Sequence, residues 1–125
     1  MLGLVAAHAG DEERARSLIG ESIDLNRRLN DQRAVIAGLV ALAHLAVCQG
    51  QLVEAARRLA VVEHAIPRYH AQLLPADLAI RRRTLETAQL QLSATAFAAA
   101  WAEGEQLTLD EAITQALGKE EKVNR

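Results

Sequence analysis

Apolar residues recur along most of the chain at the three- and four-residue intervals of amphipathic α-helices. We predict seven helices from this pattern, over residues 2–9, 11–29, 31–49, 52–66, 76–92, 94–104 and 108–117. The inward row of the second helix is predicted to consist of Ala15, Leu18, Ile19, Ser22, Leu25 and Leu29. The third helix is apolar on nearly every side, which is typical of a helix at the centre of a domain.

Glycine, proline and capping residues mark the predicted boundaries. Gly10 and Gly50 each follow a periodic segment, and glycine is common just past a helix end. Prolines at positions 67 and 75 bracket a connector between the fourth and fifth helices. Asp31 and Ser93 are predicted to cap the third and sixth helices. Thr108 and Glu111 have the spacing of a capping box, which predicts the start of the last helix. The charged residues 119–125 are predicted to form a tail.

Composition strengthens the all-α prediction. Hydrophobic residues make up 50% of the 125 residues, but aromatic residues make up only 2%, and alanine is abundant. This favours closely packed helices over strands. A net charge of −2 gives no general attraction to nucleic acid or to an anionic membrane. The single cysteine excludes an internal disulfide, and the sequence contains no apolar run of the ~20 residues that cross a bilayer. We expect one cytoplasmic domain.

Two stretches of the chain share the spacing of large and small residues found in tetratricopeptide repeats. Around Gly50 the matching residues are Leu39, Leu42, Ala43, Ala46, Ala55, Leu59, Val62 and Pro67. Around Gly10 they are Leu2, Gly3, Ala6, Ala15, Ile19 and Ser22. The chain therefore resembles this family, in which antiparallel helical hairpins stack as a superhelix. The resemblance implies hairpins over about 2–29, 31–67 and 76–104, closed by a capping helix over 108–117.

The last third of the chain has a narrower resemblance. Residues 97–104 (FAAAWAEG) and 107–113 (LTLDEAI) resemble the end of the helical-repeat region in bacterial LuxR-type and related signal-transduction ATPase regulators. In that family the region would sense an inducer or mediate assembly, while separate domains bind ATP and DNA. The sequence contains neither a phosphate-binding loop nor a recognisable recognition helix. Its helical pattern also begins at the first residues without a cap. We therefore expect the chain to be one segment of a larger regulator.

The repeat resemblance also implies a concave face, formed by the first helix of each hairpin. By position, that face includes Leu4, Ala7, His8, Ala37, Val40, His44, Val47 and Cys48. Because these residues are mostly apolar, we expect the face to be covered. The cover could be the chain's own later helices, a second copy, or a partner, and the sequence leaves these alternatives open.

Other classes of site receive less support from the sequence. His44 and Cys48 are four residues apart and His8 could add a third metal ligand, but no carboxylate or second cysteine completes the set. We predict no metal or other cofactor, and a packing role for Cys48 as a small buried residue. The basic run 81–83 is partly paired with Glu86, which indicates a solvated helix face and not a nucleic-acid site.

The predicted function is non-catalytic. No serine or cysteine has a histidine and an acid at a recognisable spacing, so we predict no enzymatic activity. The leading interpretation is a protein-interaction or assembly module that binds a second copy or a neighbouring domain, with no direct contact to nucleic acid or membrane. The alternative is a sensor that binds a small inducer in the groove near His44.

Overall fold

The computed structural model describes the backbone of residues 2–118 and the side chains of residues 11–118. It contains six α-helices in this range: α1 (Leu2–Arg28), α2 (Gln32–Cys48), α3 (Leu52–Arg68), α4 (Pro75–Gln91), α5 (Ala94–Glu105) and α6 (Leu109–Leu117). Residues 2–118 include no strand, so the all-α prediction is confirmed. The predictions for the side chains of Leu4, Ala7 and His8, and for the tail 119–125, lie outside the described residues.

The helix break predicted at Gly10 is wrong, because α1 continues through it from Leu2 to Arg28. A glycine within a helix costs only about 1 kcal/mol relative to alanine, and good helix formers lie on both sides of this one, including Ala9, Glu12 and Glu13. The segment expected to fold as the first hairpin, 2–29, is therefore one long helix over most of its length.

Local capping signals at the other boundaries are mostly confirmed. The Asp31 carboxylate accepts a hydrogen bond from the Ala34 N–H at 3.2 Å, and Gly50 follows α2 with φ +76°. The Thr108 hydroxyl accepts from the Glu111 N–H at 3.1 Å, and the Glu111 carboxylate accepts from the Thr108 N–H at 2.9 Å. Pro67 does not end α3, which continues for one more residue to Arg68.

The core is built around α2 and α3. Helix α2 packs against α1, α3, α4 and α6, as expected for a helix that is apolar on nearly every side. Helix α6 folds back to fill the space beside α1, α2 and α3 with its buried residues Leu109, Ala112, Ile113 and Ala116. The packing of α2, α3 and α4 is consistent with a helical repeat.

The inward face predicted for α1 is only partly right. Ile19 and the fully buried Ile23 pack into the core, whereas the predicted inward residues Leu18, Leu25 and Leu29 are 58%, 55% and 66% exposed. Ser22 is also exposed. The reason is that α1 lies very close to α2 at Gly38, where an added Cβ atom would be 2.5 Å from Ile23 Cγ1. Only the side of α1 that carries Ile19 and Ile23 faces α2 at this contact.

The pairing predicted for the segment 76–104 also differs from the structure. Helices α4 and α5 make few contacts with each other, and α5 packs against α3 instead. Gly104 on α5 lies directly over α3, where an added Cβ atom would be 2.7 Å from the Ala60 Cβ. Helix α4 lies against α2 and α3. The result is an open cleft between α4 and α5.

Candidate interaction surfaces

The residues predicted to line a concave face on α2 lie in different environments. Val40 is buried within the core cluster, and Ile80 of α4 packs against that cluster. Ala37 and Val47 are half-buried, while His44 and Cys48 are exposed. Because α4 packs along α2, the chain's own later helix covers part of this side of α2. The binding role of these residues stays a prediction.

His44 and Cys48 do meet, with their Nε2 and Sγ atoms 3.7 Å apart. Cys48, the last residue of α2, is exposed, so its predicted role as a buried apolar residue is wrong. Among the side chains of residues 11–118, no group of three His, Cys, Asp or Glu residues is placed to hold a metal ion.

Several arginines link helices in ways that the sequence did not reveal. Arg81, predicted to lie on a solvated face, pairs with Glu63 of α3. Arg58 donates from Nη1 to the Leu42 carbonyl oxygen at 2.8 Å, and burial lowers the pKa of Arg58 below its ordinary value. These contacts join α3 to α4 and to α2.

Arg57 joins α3 to α5. Its Nε donates to the Glu103 carboxylate at 2.7 Å, and its guanidinium also contacts Glu54. Burial on its own would lower the pKa of Arg57, but the hydrogen bond to Glu103 and the two carboxylate charges raise it above its ordinary value. Glu103 directly precedes Gly104, so this pairing reinforces the close approach of α5 to α3.

The first candidate surface is a row of residues along the outer side of α1 that ends at Leu29, the residue directly after the helix, and we call it the α1 row. Its members recur at alternating intervals of three and four residues: Ala15, Leu18, Ser22, Leu25 and Leu29. All but the half-buried Ala15 are exposed. One edge of the row carries the exposed charged residues Arg14, Glu21 and Arg28, and the other carries Ile19 and Asn26.

The second candidate surface is the cleft between α4 and α5, which we call the aromatic cleft. Its volume is about 480 Å³, and it is lined by Glu63, Leu85, Gln89, Phe97, Ala98, Trp101, Ala102 and Glu105. The rings of Phe97 and Trp101 stack with centroids 5.5 Å apart. Both aromatic residues are half-buried, so they are accessible to a ligand.

The third candidate is a polar groove of about 530 Å³ between the end of α3 and the start of α6. His64 and Glu105 approach to 3.3 Å on its wall. Arg68 and Tyr69 also line this groove, with the Arg68 guanidinium carbon 5.9 Å from the Tyr69 ring centroid. The described residues provide no buried polar group that would fix a ligand here.

Comparisons with known proteins do not add an identity to these surfaces. No family model, curated protein or solved structure matches the chain. Within residues 2–118, no helix combines the length and the apolar character needed to cross a membrane.

Proposed function

We propose that the chain is a non-catalytic protein-interaction and assembly module, a tetratricopeptide-like segment of a bacterial LuxR-type regulator that acts in the cytoplasm. The observation that carries the interaction role is the α1 row, in which three leucines on one helix face are each more than half exposed. Exposed apolar rows of this kind mark contact sites, because burying apolar surface against a partner stabilises the complex by about 25 cal/mol per Å².

The shape of the α1 row favours a protein partner. Its residues extend along almost four turns of helix with no enclosing wall, whereas small-molecule sites are concave. A partner helix could cover such a row continuously. The row is also presented rigidly, since Ile23 on the opposite side of α1 is fully buried against α2.

Site-specific photo-crosslinking in the cells that produce the protein tests this proposal. We expect p-benzoylphenylalanine in place of Leu25 to form a covalent adduct with another polypeptide, of either this chain or a different one. The same residue in place of Leu90, which is 85% exposed on α4, is the matched control and should form little adduct. Equal or absent adducts at the two positions would contradict an interaction role for α1.

Small-molecule sensing is a second candidate function, favoured by the aromatic cleft. The cleft differs from the site near His44 that the sequence suggested, because it lies between α4 and α5. Its stacked aromatic rings would bind a flat or apolar ligand.

Intrinsic fluorescence provides a direct test of sensing, because Trp101 is the only tryptophan of the chain. We expect a bound metabolite to shift or quench the Trp101 emission and to raise the melting temperature, since a ligand that binds only the folded state must stabilise it. Leu85→Gln, which makes the wall of the cleft polar, should weaken both responses. A broad metabolite library that leaves emission and melting temperature unchanged would argue against sensing in this cleft.

A further inference from the structure

The α1 row contains three of the large hydrophobic residues that are exposed among the described residues, and its sequence indicates what covers it. We propose that α1 pairs in antiparallel orientation with α1 of a second copy of the chain, forming a symmetric dimer. This inference rests on the proposed interaction function and identifies its partner. Two observations carry it: the spacing of the row, and the order of charges along its edge.

The spacing is that of a coiled-coil seam. Intervals of three and four residues alternate from Ala15 through Leu18, Ser22 and Leu25 to Leu29, so the row stays on one side of a gently supercoiled helix. In antiparallel register, Leu18 lies opposite the second copy's Leu29, and Ser22 lies opposite the second copy's Leu25. The two-fold symmetry of the dimer repeats each of these two pairs, so every leucine of the row lies opposite an apolar or small residue.

Ser22 makes a close approach possible at little polar cost. Its small side chain leaves room for Leu25 of the second copy, and its Oγ already accepts a hydrogen bond from Asn26 Nδ2 of the same helix at 3.3 Å. Covering Ser22 therefore does not strand an unbonded hydroxyl oxygen. Ala15 is similarly small at the next position toward the N-terminus of the helix.

The charged edge fixes the orientation. Glu21 and Arg28 are both exposed on the same side of the row, seven residues apart. In the antiparallel register given above, Glu21 of each copy lies beside Arg28 of the other, so the dimer contains two opposite-charge pairs. A parallel pair would instead place Glu21 beside Asn26 and leave Arg28 without a partner. Charge complementarity therefore favours self-pairing in the antiparallel sense.

The interface is small, and this sets the conditions of the test. A contact of a few helical turns falls at or below the low end of the roughly 1,200–2,000 Å² that stable complexes bury, so we expect a dissociation constant of roughly 1–100 µM. Analytical ultracentrifugation or light scattering of the full chain from about 1 µM to 1 mM covers that range.

Two variants locate the dimer contact. Leu25→Glu should raise the dissociation constant of the dimer more than about thirtyfold, because the two-fold symmetry buries the introduced charge twice. Leu90→Glu changes an even more exposed leucine on α4 and should leave the dissociation constant unchanged. Because Leu25 is already more than half exposed in the single chain, circular dichroism and melting temperature should show that both variants remain folded.

Charge reversal then tests the orientation. Glu21→Arg and Arg28→Glu should each weaken self-association about three- to tenfold, since each converts two attractive pairs into two repulsive ones. The double variant Glu21→Arg/Arg28→Glu should recover the wild-type affinity, and an equimolar mixture of the two single variants should form a heterodimer. The differences should shrink as salt rises to about 0.5 M, where screening is stronger.

Each of the following results would overturn the inferred dimer, and failure of the dimer can be told apart from failure of the proposed interaction function. A folded chain that stays monomeric up to 1 mM rules out the α1 dimer. A photo-crosslink from position 25 to a different polypeptide would still support an interaction module. A dimer that survives Leu25→Glu uses another surface. A dimer that is lost with Leu25→Glu but not recovered by the double reversal does not have the antiparallel register.

Discussion

Replacing Gly104 with alanine is expected to lower the free energy of unfolding by about 2–3 kcal/mol, although glycine-to-alanine changes within helices normally stabilise by up to about 1 kcal/mol. The added Cβ would contact the Arg57 carbonyl oxygen and would be 2.7 Å from the Ala60 Cβ, closer than real Cβ atoms approach. Both groups belong to the backbone or to the first side-chain carbon of α3, so neither can rotate away. Helix α5 would have to move off α3 to make room.

Gly20→Ala is the matched control for this prediction. Gly20 also lies within a helix, but its added Cβ would meet only the tip of the Leu117 side chain at 3.3 Å, which can adjust. We expect this variant to be neutral or to gain up to about 1 kcal/mol. Urea unfolding measures both variants, and the Trp101 emission of Gly104→Ala should shift toward longer wavelengths as α5 loosens. Equal stabilities for the two variants would contradict the close packing of α5 on α3.

The parts of the fold that were predicted correctly depend on local signals. Asp31, Ser93 and the Thr108–Glu111 capping box each act on residues within a single turn, so their effect does not depend on the rest of the chain. The central position of α2 was likewise predictable, because a helix that is apolar on nearly every side has no face to turn toward water.

The errors concern choices that depend on distant residues. Helix α1 has two apolar rows, and periodicity alone does not say which of them faces inward. The side that carries Ile19 and Ile23 faces inward, because Ile23 fits into the space left by Gly38 on α2. The partner of α5 is decided in the same way by Gly104, which was predicted only to end a helix. In both cases a glycine that permits a close helix contact determined the packing, and its partner lies elsewhere in the sequence.

The candidate surfaces were partly visible in the sequence. The leucines of the α1 row were recognised as a helical stripe, but they were placed in the core because a stripe does not distinguish a core from an interface. Phe97 and Trp101, four residues apart, could have indicated an aromatic surface on α5, although the cleft itself exists only because α4 and α5 lie apart. The concave face on α2 came from the repeat resemblance, and α4 packs along part of that side.

Replacing Ile113 with alanine is expected to lower the free energy of unfolding by about 2–4 kcal/mol, the usual cost of a cavity left by a deleted aliphatic side chain. Ile113 is fully buried in the same cluster as Ile23 of α1 and Leu39 of α2. Helix α6 has only nine residues, and a helix this short depends on packing for its stability. The midpoint of thermal unfolding should therefore fall by about 10 °C.

The choice of control makes this prediction specific to the core. Gln115→Ala changes an exposed residue on the same helix and should alter the free energy of unfolding by less than about 0.5 kcal/mol. Hydrogen exchange should also show faster exchange across the last turns of α6 in Ile113→Ala, since the amides there are protected only while the helix is docked. If both variants were as stable as wild type, α6 would not be part of the core. The inner face of α1 beside Ile23 would then be open to a partner, and the outer α1 row would no longer be the best candidate for the contact between copies.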